Sequence, residues 1–155
     1  MEGIPALSDP RLVDVDHEVI RHGRVHSLEE AAEARGVDPS AVIKTMVVRR
    51  GQDDYIFTLV PGDRVIDWPK LRDVVGQRRL SMPDAEEALE VTGYVRGTIT
   101  PFGAEGSWPV FADEQLVGTV VSIGGGAHGV SITIDGTTLI EILGATTADI
   151  TKEKS

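Results

Sequence analysis

With 155 residues, no cysteine and a formal net charge of −10, the chain has the length for one ordinary domain with one core, and it cannot use disulfides, thiolate metal ligands or a cysteine nucleophile. The acidic excess disfavours general polyanion binding, which draws its affinity from clustered Lys and Arg. That charge is uneven: residues 40–80 (Lys44, Arg49, Arg50, Arg64, Lys70, Arg72, Arg78 and Arg79 against five acids) carry +3 and the remainder −13, which leaves room for a local basic face. No apolar run approaches the roughly 18 to 20 residues of a membrane span, and the amino terminus, with Glu2 and Asp9, lacks the parts of a secretory signal. The expectation is a soluble, cytoplasmic protein with no membrane contact.

In chain order, residues 1–19 begin with two prolines, a glycine and little periodicity, which predicts a loosely held arm. Ser27-Leu28-Glu29-Glu30 has the Ser-x-x-Glu spacing of a capping box and predicts a helix from Leu28 to Arg35, closed by Gly36. Ala41 to Val48 reads as a buried strand, Arg49 to Asp54 as its turn and Tyr55 to Val60 as a second strand. Asp67 predicts the cap of a short helix carrying Trp68, Leu71, Val74 and Val75, and Ser81 with Pro83 opens another that stops at Gly93. Pro109 to Phe111, Leu116 to Ile123 and Val130 to Ile134 resemble strands, and Thr138 with Glu141 suggests a last capped helix. This irregular mixture predicts an α+β fold, a single domain with a central mixed, largely antiparallel sheet flanked by helices. Its parts are an arm over 1–19, a domain over 20–151 and a tail over 152–155.

Lys44 stands out because period-two alternation places it on the strand face shared by Val42, Met46 and Val48. An ammonium on an apolar face needs a carboxylate, an anionic ligand or neutralisation, unless its stem snorkels to water from an edge strand. The segment from Gly93 to Gly103 sets three glycines and Pro101 around a short β-prone stretch, and can present backbone N–H groups to an oxyanion or serve as a plain loop. Gly124 to Gly129 matches GxGxxG. However, the alternating Val130 to Ile134 that follows reads as a strand rather than the helix a dinucleotide site requires, which predicts a glycine hairpin with His128 at its tip. His17, His22 and His26 lack an accompanying carboxylate pattern and read as solvated. Neither a GxSxG elbow nor a P-loop is present.

Taken in order and at these distances, the three signals resemble the YbaK and prolyl-tRNA-synthetase-associated editing family across residues 20 to 151. Val42 to Val48 is similar to its lysine strand, Gly93 to Gly103 to its Gly-Tyr-x-x-Gly-x-x-x-Pro-x-Gly loop, Ser122 to Ile134 to its glycine-rich hairpin, and Ala145, Asp149 and Ile150 to its ending. The resemblance implies a trans-editing hydrolase that deacylates mischarged aminoacyl-tRNA, with tRNA for proline carrying a small noncognate amino acid as the expected substrate. It also implies a prolyl-tRNA synthetase as candidate partner, and neither metal nor organic cofactor. Lys44 is then the catalytic residue, contacting the terminal nucleotide or the ester. Thr45, Gly97, Thr98, Ile99, Thr100, Pro101, Ser122, Gly124, Gly125, Gly126 and His128 form the substrate-binding set. A noncatalytic module that recognises an aminoacylated RNA end, or a regulatory partner, is the alternative that the same residues allow.

Overall fold

A computed structural model describes residues 4–105 and 108–154; residues 1–3 of the expected arm and Ser155 of the expected tail lie outside them. Strand β1 (His17–Arg21) pairs antiparallel with β7 (Val130–Asp135), which pairs with β6 (Val120–Gly124). The second sheet runs in the order β2 (Ile43–Gly51), β3 (Asp54–Pro61), β5 (Val110–Asp113), β8 (Thr146–Ala148), with the first pairing antiparallel and the other two parallel. A parallel bridge from Val42 to Ser122 brings the two sheets together at the start of β2. Strands β4 (Arg64–Ile66) and β9 (Thr151–Glu153) form a small antiparallel ribbon. With helices α1 (Leu28–Arg35), α2 (Trp68–Val75), α3 (Ala85–Thr92) and α4 (Gly136–Leu143), the architecture is the expected mixed-sheet α+β fold.

Local chemistry explains the helix boundaries and three of the departures from expectation. Ser27 Oγ accepts from Glu30 N at 3.1 Å, as a capping box requires, while Glu30 Oε2 reaches one residue further back, to His26 N at 3.2 Å. Asp67 caps α2 through Lys70 N, as predicted. Helix α3 is capped by Asp84, which accepts from Glu87 N at 2.8 Å, and not by Ser81, whose backbone pairs with Arg49 instead. Likewise α4 is capped by Asp135 through Thr138 N; the expected cap, Thr138, is the third helical residue. The strand expected over Leu116 to Ile123 is broken, because Asp113 caps a short 3-10 turn at Glu114–Leu116 and the chain bends at Gly118 before β6 begins.

The larger correction concerns the arm. Ala6 and Leu12 are fully buried within the main apolar cluster, alongside Phe57, Tyr94 and Phe102, and His17–Arg21 is an edge strand rather than the end of a loose arm; His17 and His26 are exposed as expected, and His22 is half-buried. Burying apolar side chains ties down a segment that composition alone reads as loose. The tail is also held, since residues 151–153 pair with β4. Among the described residues, no helix is long and apolar enough to cross a membrane.

Candidate active site at the edge of the central sheet

Strand β2 is an edge strand of its four-stranded sheet, and its residues 43–47 border a cleft. Ile43 and Val47 look into the main core, while Val48 belongs to a second apolar cluster against which Met46 packs. Lys44 shares the face of Met46 and Val48, as the alternation predicts. It is half-buried, and its Nζ donates to the Arg64 carbonyl at 2.5 Å. Burial pushes its ammonium below the ordinary lysine value; nearby Lys154 acts in the same direction and Asp63 opposes it. A neutral carbonyl takes only one of three N–H donors, which leaves two for a ligand.

A cavity of about 790 Å³ opens here, within the range of roughly 300–1,000 Å³ typical of small-molecule sites. Among its lining residues are Lys44, Thr45, Gly97, Ile99 and Gly124 of the expected set, together with Arg35, Arg96, Met46, Met82, Pro83 and Asp84. Three cations therefore face one carboxylate in a chain of net charge −10, and that carboxylate already caps α3. A comparable cleft beside the end of α1 carries Glu33 and Asp38 and no cation, which makes it the poorer place for a phosphate-bearing ligand.

The remaining expected residues stand around this cavity rather than on its surface. Thr98 Oγ1 donates to the Val95 carbonyl at 2.8 Å, and Thr100 Oγ1 accepts from Phe102 N at 3.4 Å, so both buried hydroxyls shape the loop from within. Pro101 lies on the far side, where its carbonyl accepts from Arg11. Ser122 is buried behind the wall and accepts from Arg35 Nη1 at 3.4 Å. Gly125 closes the hairpin by donating to the Val130 carbonyl, and Gly126 lies against Tyr94 and Ala6. His128 is exposed at the tip, close to Gly97. The hairpin runs from β6 into β7, as read from the sequence, and opens no helix.

Gly97 has φ +90, a conformation that side chains rarely adopt, and it turns the loop so that its backbone borders the cavity. Among the described residues, the N–H groups of Gly97 and Ile99, two residues that line the cavity, take no protein acceptor. The arm braces this loop from behind. Asp9 accepts from Gly103 N at 2.8 Å and pairs with Arg11, whose guanidinium sits 5.4 Å from the Phe102 ring centre.

The Arg11 side chain holds the Asp9 carboxyl at about 2, against an ordinary 3.8; burial opposes this, and the N–H groups of Arg11 and Gly103 assist it. A carboxylate with a depressed folded-state pKa adds stability above its unfolded pKa, and that stability is lost as pH falls from 3.8 through 2. The gap corresponds to about 2 kcal/mol. The wild type is therefore expected to be more stable than Asp9→Asn by roughly that amount at pH 6, with the difference vanishing near pH 2 in denaturant titrations.

Sequence reasoning missed Arg35, Arg96 and the Met82–Asp84 segment. Arg35, the last residue of α1, looks from sequence like any cation placed to complement a helix dipole. In the fold its guanidinium crosses toward β6, and burial holds it below its usual pKa. Arg96 lies inside the quoted loop motif, but nothing in the spacing distinguishes it from a solvated residue.

Comparison with known proteins identifies the chemistry to which this arrangement belongs. A profile described as an aminoacyl-tRNA editing domain matches residues 22–142. The chain is 24% identical over 129 residues to EbsC of Enterococcus faecalis, named for Cys-tRNA(Pro)/Cys-tRNA(Cys) deacylation, covering 83% of this chain and 79% of that one. It is 32% identical over 130 residues to the proline–tRNA ligase of Heliobacterium modesticaldum, covering 81% of this chain but 21% of the ligase. A crystal structure described as a trans-editing enzyme for prolyl tRNA synthetase superposes with a TM-score of 0.80 at 27% identity, covering 90% of this chain and 87% of that one. The chain belongs to the aminoacyl-tRNA editing domain family, the YbaK-type family that its lysine strand, GxxxP loop and glycine hairpin resemble.

Proposed function

We propose that this protein hydrolyses the ester of mischarged aminoacyl-tRNA in trans, with tRNA(Pro) bearing a small noncognate amino acid as substrate and the β2-edge cavity as the active site. The observation that carries this reading is the convergence of Lys44 with the Gly97 and Ile99 backbone in one cation-lined cavity, within a chain matched to the editing family over 22–142. Water attacks the ester carbonyl carbon, the bond to the ribose oxygen breaks, and that oxygen leaves as a hydroxyl, giving free amino acid and tRNA. The developing oxyanion takes the free N–H groups of Gly97 and Ile99, while Lys44 turns its two remaining donors to the ester or the terminal nucleotide. The neighbouring ribose hydroxyl helps to activate the water. Met46, Met82 and Ile99 give the cavity an apolar wall, against which a methylene more or less is worth about 1 to 3 kcal/mol. A cytoplasmic address and a prolyl-tRNA synthetase partner accord with such a substrate.

The test is amino-acid release from tRNA(Pro) charged in turn with Ala, Cys, Ser, Thr and Pro, and from Cys-tRNA(Cys). Rapid release from at least one mischarged species, with Pro-tRNA(Pro) spared, is the expected outcome. No release from any of them leaves a binding module.

The RNA body has a path beside this cavity. Residues 43–47 of β2 border the cavity, and Arg49, Arg50 and Gln52 border the next groove, together with Gly76–Ser81. Arg49 and Arg50 have acidic neighbours in Glu87 and Asp54, whereas Arg78 and Arg79 are exposed and form no ion pair among the described residues. Reversing both to Glu is expected to raise KM for tRNA about tenfold and to flatten the salt dependence of binding by about two in log–log slope. Hydrolysis of aminoacyl-adenosine, measured in parallel, should not change. Normal handling of tRNA by the double variant at low and moderate salt places recognition elsewhere.

A further inference from the structure

The mechanism leaves Arg35 without a task, yet its setting is not that of a surface cation. Its Nε is shielded from solvent with no protein partner among the described residues. Its Nη1 makes one long contact, 3.4 Å, to the neutral Ser122 hydroxyl. No carboxylate pairs with it among the described residues. A guanidinium offers five donors in a rigid fork, and burying it unpaired is costly unless a ligand supplies the counter-charge. Since Nε is walled in, the terminal amines are what this side chain can present to the cavity it lines. Arg96 and Lys44 line the same cavity, so the field there favours an anion.

We propose that Arg35 is the phosphate-binding residue of the site, taking the 5′-phosphodiester of the terminal nucleotide of an aminoacylated RNA end. This rests on the deacylase reading and adds to it the polarity with which the RNA end enters. The proposed reaction sets the ester at the Gly97 and Ile99 backbone, so the aminoacyl group lies at the loop end of the cavity and the phosphate is left to Arg35. The anions of the intact ester substrate are its phosphodiesters, and the planar fork matches two phosphate oxygens at once. The terminal ribose then spans the interval between Arg35 and the loop, with its ester at the loop end.

The experiment compares adenosine 5′-monophosphate, adenosine and inorganic phosphate as probes, by calorimetry at pH 7.5 and constant ionic strength. Wild-type protein should bind the nucleotide at least tenfold more tightly than adenosine, the order expected of charge-assisted hydrogen bonds. It should bind inorganic phosphate weakly, because the adenosine contacts are missing. Arg35→Gln should bind nucleotide and nucleoside equally. A folded Arg35→Gln that keeps the wild-type preference overturns the proposal, as does a wild type with no preference or one that takes free phosphate as tightly as the nucleotide. If Arg35→Gln does not fold, the Arg35 Nε–H resonance of wild-type protein, assigned by its loss in Arg35→Lys, answers the same question. It should move on adding nucleotide and not adenosine, and a resonance indifferent to both overturns the assignment. These readouts need no turnover, so a protein that deacylates tRNA yet fails them keeps the function and loses only this phosphate site.

Discussion

Lys44→Ala is expected to lower single-turnover deacylation by about 10² to 10³-fold, the loss typical of removing one preorganised donor from an oxyanion or ester site. Its melting temperature should stay within a few degrees of wild type. The stem is half-buried beside Met46, a setting that accepts a methyl group, and the one bond lost is to a single carbonyl of β4, worth about 1 kcal/mol. A variant that keeps its rate identifies Lys44 as an edge-strand residue serving only the Arg64 carbonyl. A variant that loses rate and stability together points to a structural role.

Gly103→Ala is expected to be strongly disruptive although it lies outside the cavity. Its backbone has φ +66, and a Cβ there would stand 2.5 Å from the Pro5 carbonyl carbon and 2.7 Å from Ala6 N, distances that backbone atoms can relieve only by moving the arm. The arm buries Ala6 and Leu12 in the core and carries the Asp9 and Arg11 contacts that brace the loop. A loss of about 2 to 4 kcal/mol follows from the left-handed strain and the displaced apolar surface together, with slower turnover because the Gly97 and Ile99 donors lose their support. Gly144→Ala is the control. It shares the positive φ, but open space surrounds it, so it should cost about 1 kcal/mol and leave activity unchanged. Equal, small effects at both positions, measured by chemical denaturation, would show that the arm does not hold the loop.

Much of this site was legible because its signals are local. Alternation around Lys44 placed it on the right strand face, and the strand pattern after Gly129 separated a hairpin from a dinucleotide fingerprint. The parts not legible depend on residues far apart in the chain. The arm reads as loose until Asp9 meets Gly103, 94 residues away. Arg35 reads as an ordinary helix-end cation until Ser122, 87 residues on, draws it across to β6. Strands of three residues, such as β4, β8 and β9, are too short to carry a period, and their pairing partners define them. Where two capping residues stood close together, the fold used the one whose carboxylate faced the first free N–H groups, Asp84 over Ser81 and Asp135 over Thr138.

The central claim is that the ester is hydrolysed in the cavity at the β2 edge, and it is tested most directly by titrating labelled protein with a non-hydrolysable amide analogue of aminoacyl-adenosine and mapping backbone amide shifts. The largest changes are predicted at Lys44, Thr45, Gly97, Ile99 and Gly124, with Gly97 and Ile99 moving in the direction of new hydrogen-bond acceptors. Shifts centred instead on the Arg49–Arg79 groove or on the Glu33 and Asp38 cleft, with those five amides unmoved, would contradict it.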